Sequence, residues 1–206
     1  MNIEYKKPII KFNGNQKILI EMIIENLKQE FETYFKYFND NTLFEFNERA
    51  LLGFVNNAII RNDSSNKYYT IQEYCLKDKK TKRTIRADFL IYDNENKEYY
   101  LIEAKQNYTT EKSDKKYESS NEKRTKYYLK KVLKQANKYY KSDNVLVNKD
   151  NVYTCVLAFD SVKLNSIIEE YVHKPYESDI ENYFYTCYYM DNIDRVLNLY
   201  GIIEKK

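Results

Sequence analysis

Residues 84–106 read TIRADFLIYDNENKEYYLIEAKQ, two apolar runs separated by the polar segment NENK at 94–97. Both runs are rich in Ile, Leu, Phe and Tyr, which predicts two β-strands, Thr84–Asp93 and Glu98–Gln106. The polar segment has the composition of a tight turn. We therefore expect the two strands to pair as an antiparallel hairpin.

The hairpin is predicted to bring two carboxylates together. If Asp93 pairs with Glu98, antiparallel register places Asp88 directly opposite Glu103, with Cα atoms about 4.5–5.5 Å apart. Lys105 lies two residues beyond Glu103 and therefore on the same strand face. Two carboxylates beside an ammonium group can hold a divalent cation. Oxygen ligands of this kind favour Mg2+, with Mn2+ as a substitute.

This arrangement suits the hydrolysis of a phosphodiester. A bound cation polarises the phosphate and lowers the pKa of a water molecule, and a lysine can orient that water. The sequence contains four Glu-x-Lys triplets, so the triplet alone carries little weight. Only the triplet at Glu103 ends an apolar strand one hairpin away from an aspartate in another strand. The alternative is an ordinary solvated cluster of cross-strand charges.

Two helices are predicted upstream of the hairpin. Apolar residues recur at helical spacing over residues 15–38. Thr42 and Glu45 read as a capping box that opens a second helix ending near Arg61. Glu48 lies on the inward-facing stripe of this second helix. It is a candidate for the same site, or it pairs with a buried lysine or arginine.

A strongly basic segment follows the hairpin. Residues 121–141 contain eight Lys and Arg residues and one Glu, and their apolar positions predict a helix. Such a face is either simply solvated or binds an anionic partner that relieves the repulsion between its cations. We interpret it as a DNA contact that follows phosphates through Lys130, Lys131, Lys134 and Lys138. Arg86 either joins this contact or neutralises the acids beside it.

These motifs resemble the PD-(D/E)XK nuclease superfamily. The resemblance rests on Asp88, the triplet 103–105 and the upstream Glu48, in the order helix, strand, strand, strand and helix. Gln135 and Tyr139 form a QxxxY motif in the last helix. This motif is similar to the RecB-like branch, which includes CRISPR-associated adaptation nucleases and lambda-type exonucleases. Ala87 stands where the family name has proline.

The resemblance covers roughly residues 41–140 and implies a metal-dependent DNA nuclease. The implied fold is α/β with a restriction-endonuclease-like core, a mixed and mainly antiparallel central sheet flanked by helices. The implied metal ligands are Glu48, Asp88, Glu103 and the Ala104 carbonyl. The implied catalytic residues are Asp88, Glu103, Lys105, Gln135 and Tyr139. The family expectation is hydrolysis that leaves a 5′-phosphate, and QxxxY favours action on single strands or ends.

Length and composition limit the remaining possibilities. The chain has 206 residues and a formal net charge of +3, which fits one domain over 1–206 with its catalytic core at about 41–140. Cys75, Cys155 and Cys187 are too few and too scattered for an iron-sulfur cluster, so we expect reduced, buried thiols. No apolar run reaches the length of a membrane span, so we expect an intracellular, cytoplasmic protein without a membrane partner. The richness in Lys, Asn, Ile and Tyr suggests an AT-rich viral or mobile genome.

The flanking segments give further predictions. We expect strands at Lys67–Lys77, Val152–Phe159 and Tyr183–Met190, and helices from Ser161 to about His173 and at Ile193–Ile203. Two alternatives to a weakly specific nuclease stay open. One is a sequence-specific restriction-type endonuclease whose C-terminal half supplies base readout or forms a homo-oligomer. The other is a catalytically inactive, nuclease-like DNA-binding module.

Overall fold

The computed structural model describes residues 3–38, 47–61, 66–78, 81–108, 131–139, 151–163, 182–190 and 195–205. Three helices lie in these ranges: α1 (Asn15–Phe38), α2 (Glu48–Ile60) and α3 (131–139). The strands in the same ranges are β1 (Ile3–Tyr5), β2 (Ile9–Ile10), β3 (Tyr68–Lys77), β4 (Thr84–Asp93), β5 (Glu98–Tyr108), β6 (Val152–Lys163), β7 (Tyr183–Met190) and β8 (Arg195–Lys205).

The strands form one mixed sheet. Its order is β1-β7-β8-β6-β5-β4-β3, and β2 also pairs with β7. β5 and β6 run parallel, whereas the other paired strands described are antiparallel. A parallel pair requires a long crossover, and α3 lies in the chain between these two strands. The predicted α/β class with a mixed, mainly antiparallel sheet is confirmed.

Helices lie on both faces of the sheet. α1 and α2 share one core cluster with strand residues such as Phe89, Ile102 and Tyr188. Val132, Ala136 and other α3 residues belong to a second cluster with the opposite strand face. Because side chains alternate along a strand, β5 contributes to both clusters. The sheet is therefore the middle of three layers. Its strands β4 and β5 lie between α2 on one face and α3 on the other.

Local sequence explains the helix bounds. α1 has the predicted bounds, and its buried residue Phe31 packs edge-on against Tyr188, with ring centroids 5.1 Å apart. α2 begins later than predicted, because Asn47 is its N-cap and accepts a 3.0 Å hydrogen bond from the Ala50 backbone N–H. The prediction that Thr42 caps this helix is therefore wrong. Thr42 and Glu45 themselves lie outside the described residues.

The C-terminal half corrects two predictions. β7 has the predicted bounds, but β6 continues through Ser161 to Lys163, so Ser161 does not begin a helix. Residues 164–173 lie outside the described residues. The predicted helix Ile193–Ile203 is also wrong, because Arg195–Lys205 is a strand. A strand covered on both faces is apolar almost throughout, so hydrophobic periodicity does not distinguish it from a buried helix.

The cysteines and the helices bear on two other predictions. Cys155 and Cys187 are buried free thiols, as predicted, and burial raises the pKa of both. Cys75 is exposed, so its predicted burial is wrong. It lies on β3, which is the last strand at one end of the sheet as far as the described strands show. Among the described helices, none combines the length and apolar content needed to cross a bilayer.

Two glycines provide a test of this packing. A Cβ at Gly201, in β8 between β6 and β7, would overlap the Val156 carbonyl oxygen and lie 2.6 Å from Phe184 Cε1. Gly201→Ala should lower the free energy of unfolding by about 1–3 kcal/mol or more in a urea titration. A Cβ at Gly53 in α2 meets nothing within 4 Å. Gly53→Ala should raise the free energy of unfolding by about 0.5–1 kcal/mol, because alanine is the better helix former. Equal effects of the two substitutions would contradict the close packing around Gly201.

Candidate active site

The predicted hairpin register is present, but it ends beside the two acids. Asp93 pairs with Glu98, and the ladder between β4 and β5 continues only to Phe89 with Ile102. Asp88 is therefore not held opposite Glu103 as a ladder pair. Its Oδ2 instead accepts a 2.8 Å hydrogen bond from the Ala104 backbone N–H.

The ladder on the other side of β4 is also interrupted at Asp88. Gln72 pairs with Phe89 and Tyr74 with Ala87, but Glu73 between them has no ladder partner and a φ of +50°. Local breaks of this kind redirect side chains. The interruption on both sides explains how the Asp88 carboxylate reaches the β5 backbone.

The Lys105 ammonium lies at the centre of the site. Four oxygens from four residues surround its Nζ atom. They are Ala104 O at 2.5 Å, Glu103 Oε1 at 2.7 Å, Asp88 Oδ2 at 3.6 Å and Glu48 Oε1 at 3.6 Å. The structure therefore brings together all four residues that the sequence predicts as metal ligands, and the predicted lysine with them.

Glu103 is the most buried acid of the cluster. Its side chain is 1% exposed, compared with 27% for Asp88 and 30% for Glu48. Burial raises the pKa of Glu103, while its contacts with Lys105 and Tyr139 lower it in part. Burial lowers the pKa of Lys105, but the surrounding carboxylates outweigh this and raise it overall. The ion pair with Lys105 thus offsets part of the cost of burying the Glu103 carboxylate.

Glu48 reaches the cluster from the first turn of α2. Its carboxylate accepts a hydrogen bond from the Gln106 backbone N–H and lies beside Lys105. Burial raises the pKa of Glu48, and Lys105 opposes that shift. A negative charge in the first turn also interacts favourably with the helix dipole. The sequence left two roles open for Glu48, as a residue of the site or as the partner of a lysine or arginine. Glu48 pairs with Lys105, which is itself a residue of the site.

The QxxxY pair contacts the cluster from the opposite face of the sheet. Tyr139 is buried, and its hydroxyl donates a hydrogen bond to Glu103 Oε2. The side chain of Gln135 hydrogen-bonds to the same hydroxyl group and lowers its pKa, although burial and Glu103 raise that pKa overall. The face of α3 that carries Gln135 and Tyr139 therefore contacts the buried Glu103 carboxylate through Tyr139.

The residues predicted to contact DNA lie on two separate elements, α3 and β4, as far as the structure describes them. Lys131, Lys134 and Lys138 are exposed on α3, away from its apolar face. Lys130 lies outside the described residues. Arg86 is 62% exposed, and its guanidinium lies 3.4 Å from the Glu73 carboxylate. Arg86 thus pairs with Glu73, an acid outside the predicted pair of Asp88 and Glu103.

Sequence reasoning missed Gln106, which follows the Glu-x-Lys triplet. Its side-chain Oε1 and Nε2 atoms are buried and have no hydrogen-bond partner among the described residues. Glu103 Oε1 is a third such atom, since its ion pair with Lys105 lacks hydrogen-bond geometry. Strand alternation could have identified Gln106. It places this residue on the same strand face as the buried residues Ile102 and Ala104, where an apolar side chain is expected.

No preformed metal cage is present in the described part of the chain. No group of three or more His, Cys, Asp and Glu side chains there is arranged around a common metal position. The three carboxylates of the site are arranged around an ammonium group, which fills the space between them. Comparison with known proteins adds nothing further, since no family model, no curated protein and no solved structure matches this chain.

The buried amide of Gln106 gives a test of the site's polarity. An unsatisfied buried amide costs about 1–3 kcal/mol, so Gln106→Leu should raise the free energy of unfolding by about that amount in a urea titration without metal. Gln72→Leu is the matched control, because Gln72 is exposed on β3 and its replacement should change stability by less than about 0.5 kcal/mol. A loss of stability in Gln106→Leu would mean that the amide has a partner.

Proposed function

We propose that this chain is a Mg2+-dependent DNA nuclease with a restriction-endonuclease-like core of the RecB-like kind. The observation that carries the proposal is the convergence of four oxygens on one cationic group. Three acids from two strands and one helix, together with a backbone carbonyl, lie within 3.6 Å of the same ammonium nitrogen. Repulsion between carboxylates opposes such a cluster, so a function that needs it accounts for it better than stability does.

The donor set fits a hard divalent cation. All four donors are oxygens, and Mg2+ and Mn2+ prefer such ligands. Glu103 Oε1 has no hydrogen bond among the described residues, so only its ion pair with Lys105 must be given up for it to coordinate. Glu48, Asp88, Glu103 and the Ala104 carbonyl would hold the cation after the Lys105 ammonium moves aside. A bound cation would supply Lewis-acid polarisation of the phosphate and a water of lowered pKa.

The other residues hold these groups in place. The Ala104 N–H orients Asp88, and the Tyr139 hydroxyl orients Glu103. Gln135 in turn contacts Tyr139. Lys105 is 24% exposed, so its ammonium has a route toward solvent and substrate. There it would orient the attacking water or neutralise charge that develops on the phosphate.

The charge of α3 supports DNA as the substrate. Its exposed lysines, Lys131, Lys134 and Lys138, lie on the same short helix as Tyr139, which contacts the buried acid. Exposed lysines can bind a DNA backbone, because they neutralise phosphates without reading sequence. We therefore propose weakly specific cleavage, with a preference for single strands or ends and a 5′-phosphate product.

Cleavage assays test this proposal. Wild type, Asp88→Asn, Lys105→Met and the surface control Lys28→Met are incubated with circular single-stranded DNA and linear duplex DNA, in Mg2+, Mn2+ or EDTA. Cleavage should require the metal, and Lys105→Met should reduce the rate by about 10²–10⁴-fold, the usual contribution of a side chain that positions or transfers a proton. Asp88→Asn should abolish cleavage, whereas Lys28→Met should cut like wild type, since Lys28 pairs with Glu32 on the surface of α1.

The same assay separates the alternatives. Discrete fragments from duplex DNA would indicate a sequence-specific restriction-type endonuclease. DNA binding without cleavage in either metal would contradict the catalytic proposal and indicate a nuclease-like binding module. Cutting of the circular substrate would identify endonuclease action.

A further inference from the structure

We propose that Arg49, Glu73 and Arg86 form a phosphate clamp, in which one carboxylate holds two arginines ready for a DNA phosphate beside the cleavage site. This inference rests on the proposed function, because it assigns part of the substrate surface of the same site. It adds Arg49 and Glu73, which the sequence analysis did not select, and gives Arg86 a defined partner.

The clamp is defined by two ion pairs that share one acid. Arg49 Nη2 lies 2.9 Å from Glu73 Oε1, and Arg86 Nη1 lies 3.4 Å from Glu73 Oε2. Each carboxylate oxygen therefore faces a different guanidinium group. The arginine side chains are 83% and 62% exposed, so both remain accessible to a ligand in solution.

The clamp adjoins the acids of the site along the chain. Arg49 follows Glu48 in the first turn of α2, and Arg86 precedes Asp88 by two residues on β4. Glu73 lies on β3 at the point where the ladder with β4 omits Asp88. The clamp residues thus lie on α2, β3 and β4. Two of these elements, α2 and β4, also bring Glu48 and Asp88 to the Lys105 ammonium.

The backbone of Glu73 suggests that its position is selected for a role. Its φ of +50° lies in the left-handed region, which non-glycine residues seldom adopt inside a strand. Strained residues persist where the surroundings fix them, and they are concentrated at functional sites. The ladder pairs on either side of Glu73, Gln72 with Phe89 and Tyr74 with Ala87, provide such surroundings here.

The charges indicate what the clamp would bind. The acids of the cluster repel a phosphate, so DNA approaching the site needs cations close by to offset that repulsion. Guanidinium groups suit this purpose because their planar donors match phosphate oxygens bidentately. A phosphate can replace Glu73 as the partner of both arginines, since surface ion pairs contribute little stability and exchange readily.

Salt-dependent DNA binding tests the clamp. Binding of a fluorescent single-stranded DNA is measured by anisotropy in EDTA over a series of NaCl concentrations. On single-stranded DNA each phosphate contact contributes about 0.7 to the slope of log K against log salt. Arg49→Ala, Arg86→Ala and the double variant should therefore each reduce the slope, by up to about 0.7, because the two arginines bind the same phosphate. Glu73→Gln should tighten binding at every salt concentration, because the competing negative charge is lost.

The control is Lys17→Ala. Lys17 is a half-exposed cation on α1 that pairs with Glu21, so its removal changes the net charge equally but should leave the slope unchanged. Circular dichroism of each variant checks the fold. If the arginine variants bind with the same slope as Lys17→Ala, or if wild type does not bind DNA, the clamp is wrong. Reduced slopes without any Mg2+-dependent cleavage would support the clamp and contradict the nuclease.

Discussion

The ion pair between Glu103 and Lys105 is the interaction on which the account depends. Glu103 is almost fully buried in β5, with β4 on one side, the parallel strand β6 on the other and α3 against it. A carboxylate in such a place is strongly destabilising unless a cation and hydrogen bonds compensate it. Lys105 from β5 itself and the Tyr139 hydroxyl from α3 supply these partners, and the acids of β4 and α2 pair in turn with the Lys105 ammonium. Packed apolar residues in place of such a pair would often be as stable, so we assign these charges to the proposed metal site rather than to folding.

Much of the fold and the central part of the site could be predicted from local patterns. Helical spacing predicts α1 because its buried residues lie on one stripe. Apolar runs around a polar turn predict β4, β5 and their register, and strand alternation then places Lys105 on the same face as Glu103. The spacing of Gln135 and Tyr139 likewise predicts that they are neighbours on α3. In each case the partners lie within a hairpin or one helical turn, so sequence separation alone determines their contact.

The features that were missed arise from contacts between distant parts of the chain. Residues 195–205 are a strand because they fill the gap between β6 and β7, which no local pattern reveals. Asp88 bonds to the β5 backbone because both ladders of β4 are interrupted beside it. The ion pairs of Glu73 join residues from α2, β3 and β4, and a surface glutamate in a polar sequence gives no sign of them. Strand alternation predicts a buried side chain at Gln106, but only the folded chain shows that its amide has no hydrogen-bond partner among the described residues.

Manganese binding tests the central claim that the oxygens around the Lys105 ammonium form a site for a divalent cation. The measurement is isothermal titration calorimetry of Mn2+ with wild type, Asp88→Asn, Lys105→Met and the surface control Lys28→Met. Wild type should show one saturable site, which Asp88→Asn should weaken by about tenfold or more, since changes around a metal site typically cost 10–100-fold in affinity. Lys105→Met should bind Mn2+ at least as tightly as wild type, because the ammonium no longer competes for the same oxygens. A wild type that does not bind Mn2+, or binding that Asp88→Asn leaves unchanged, would contradict the claim.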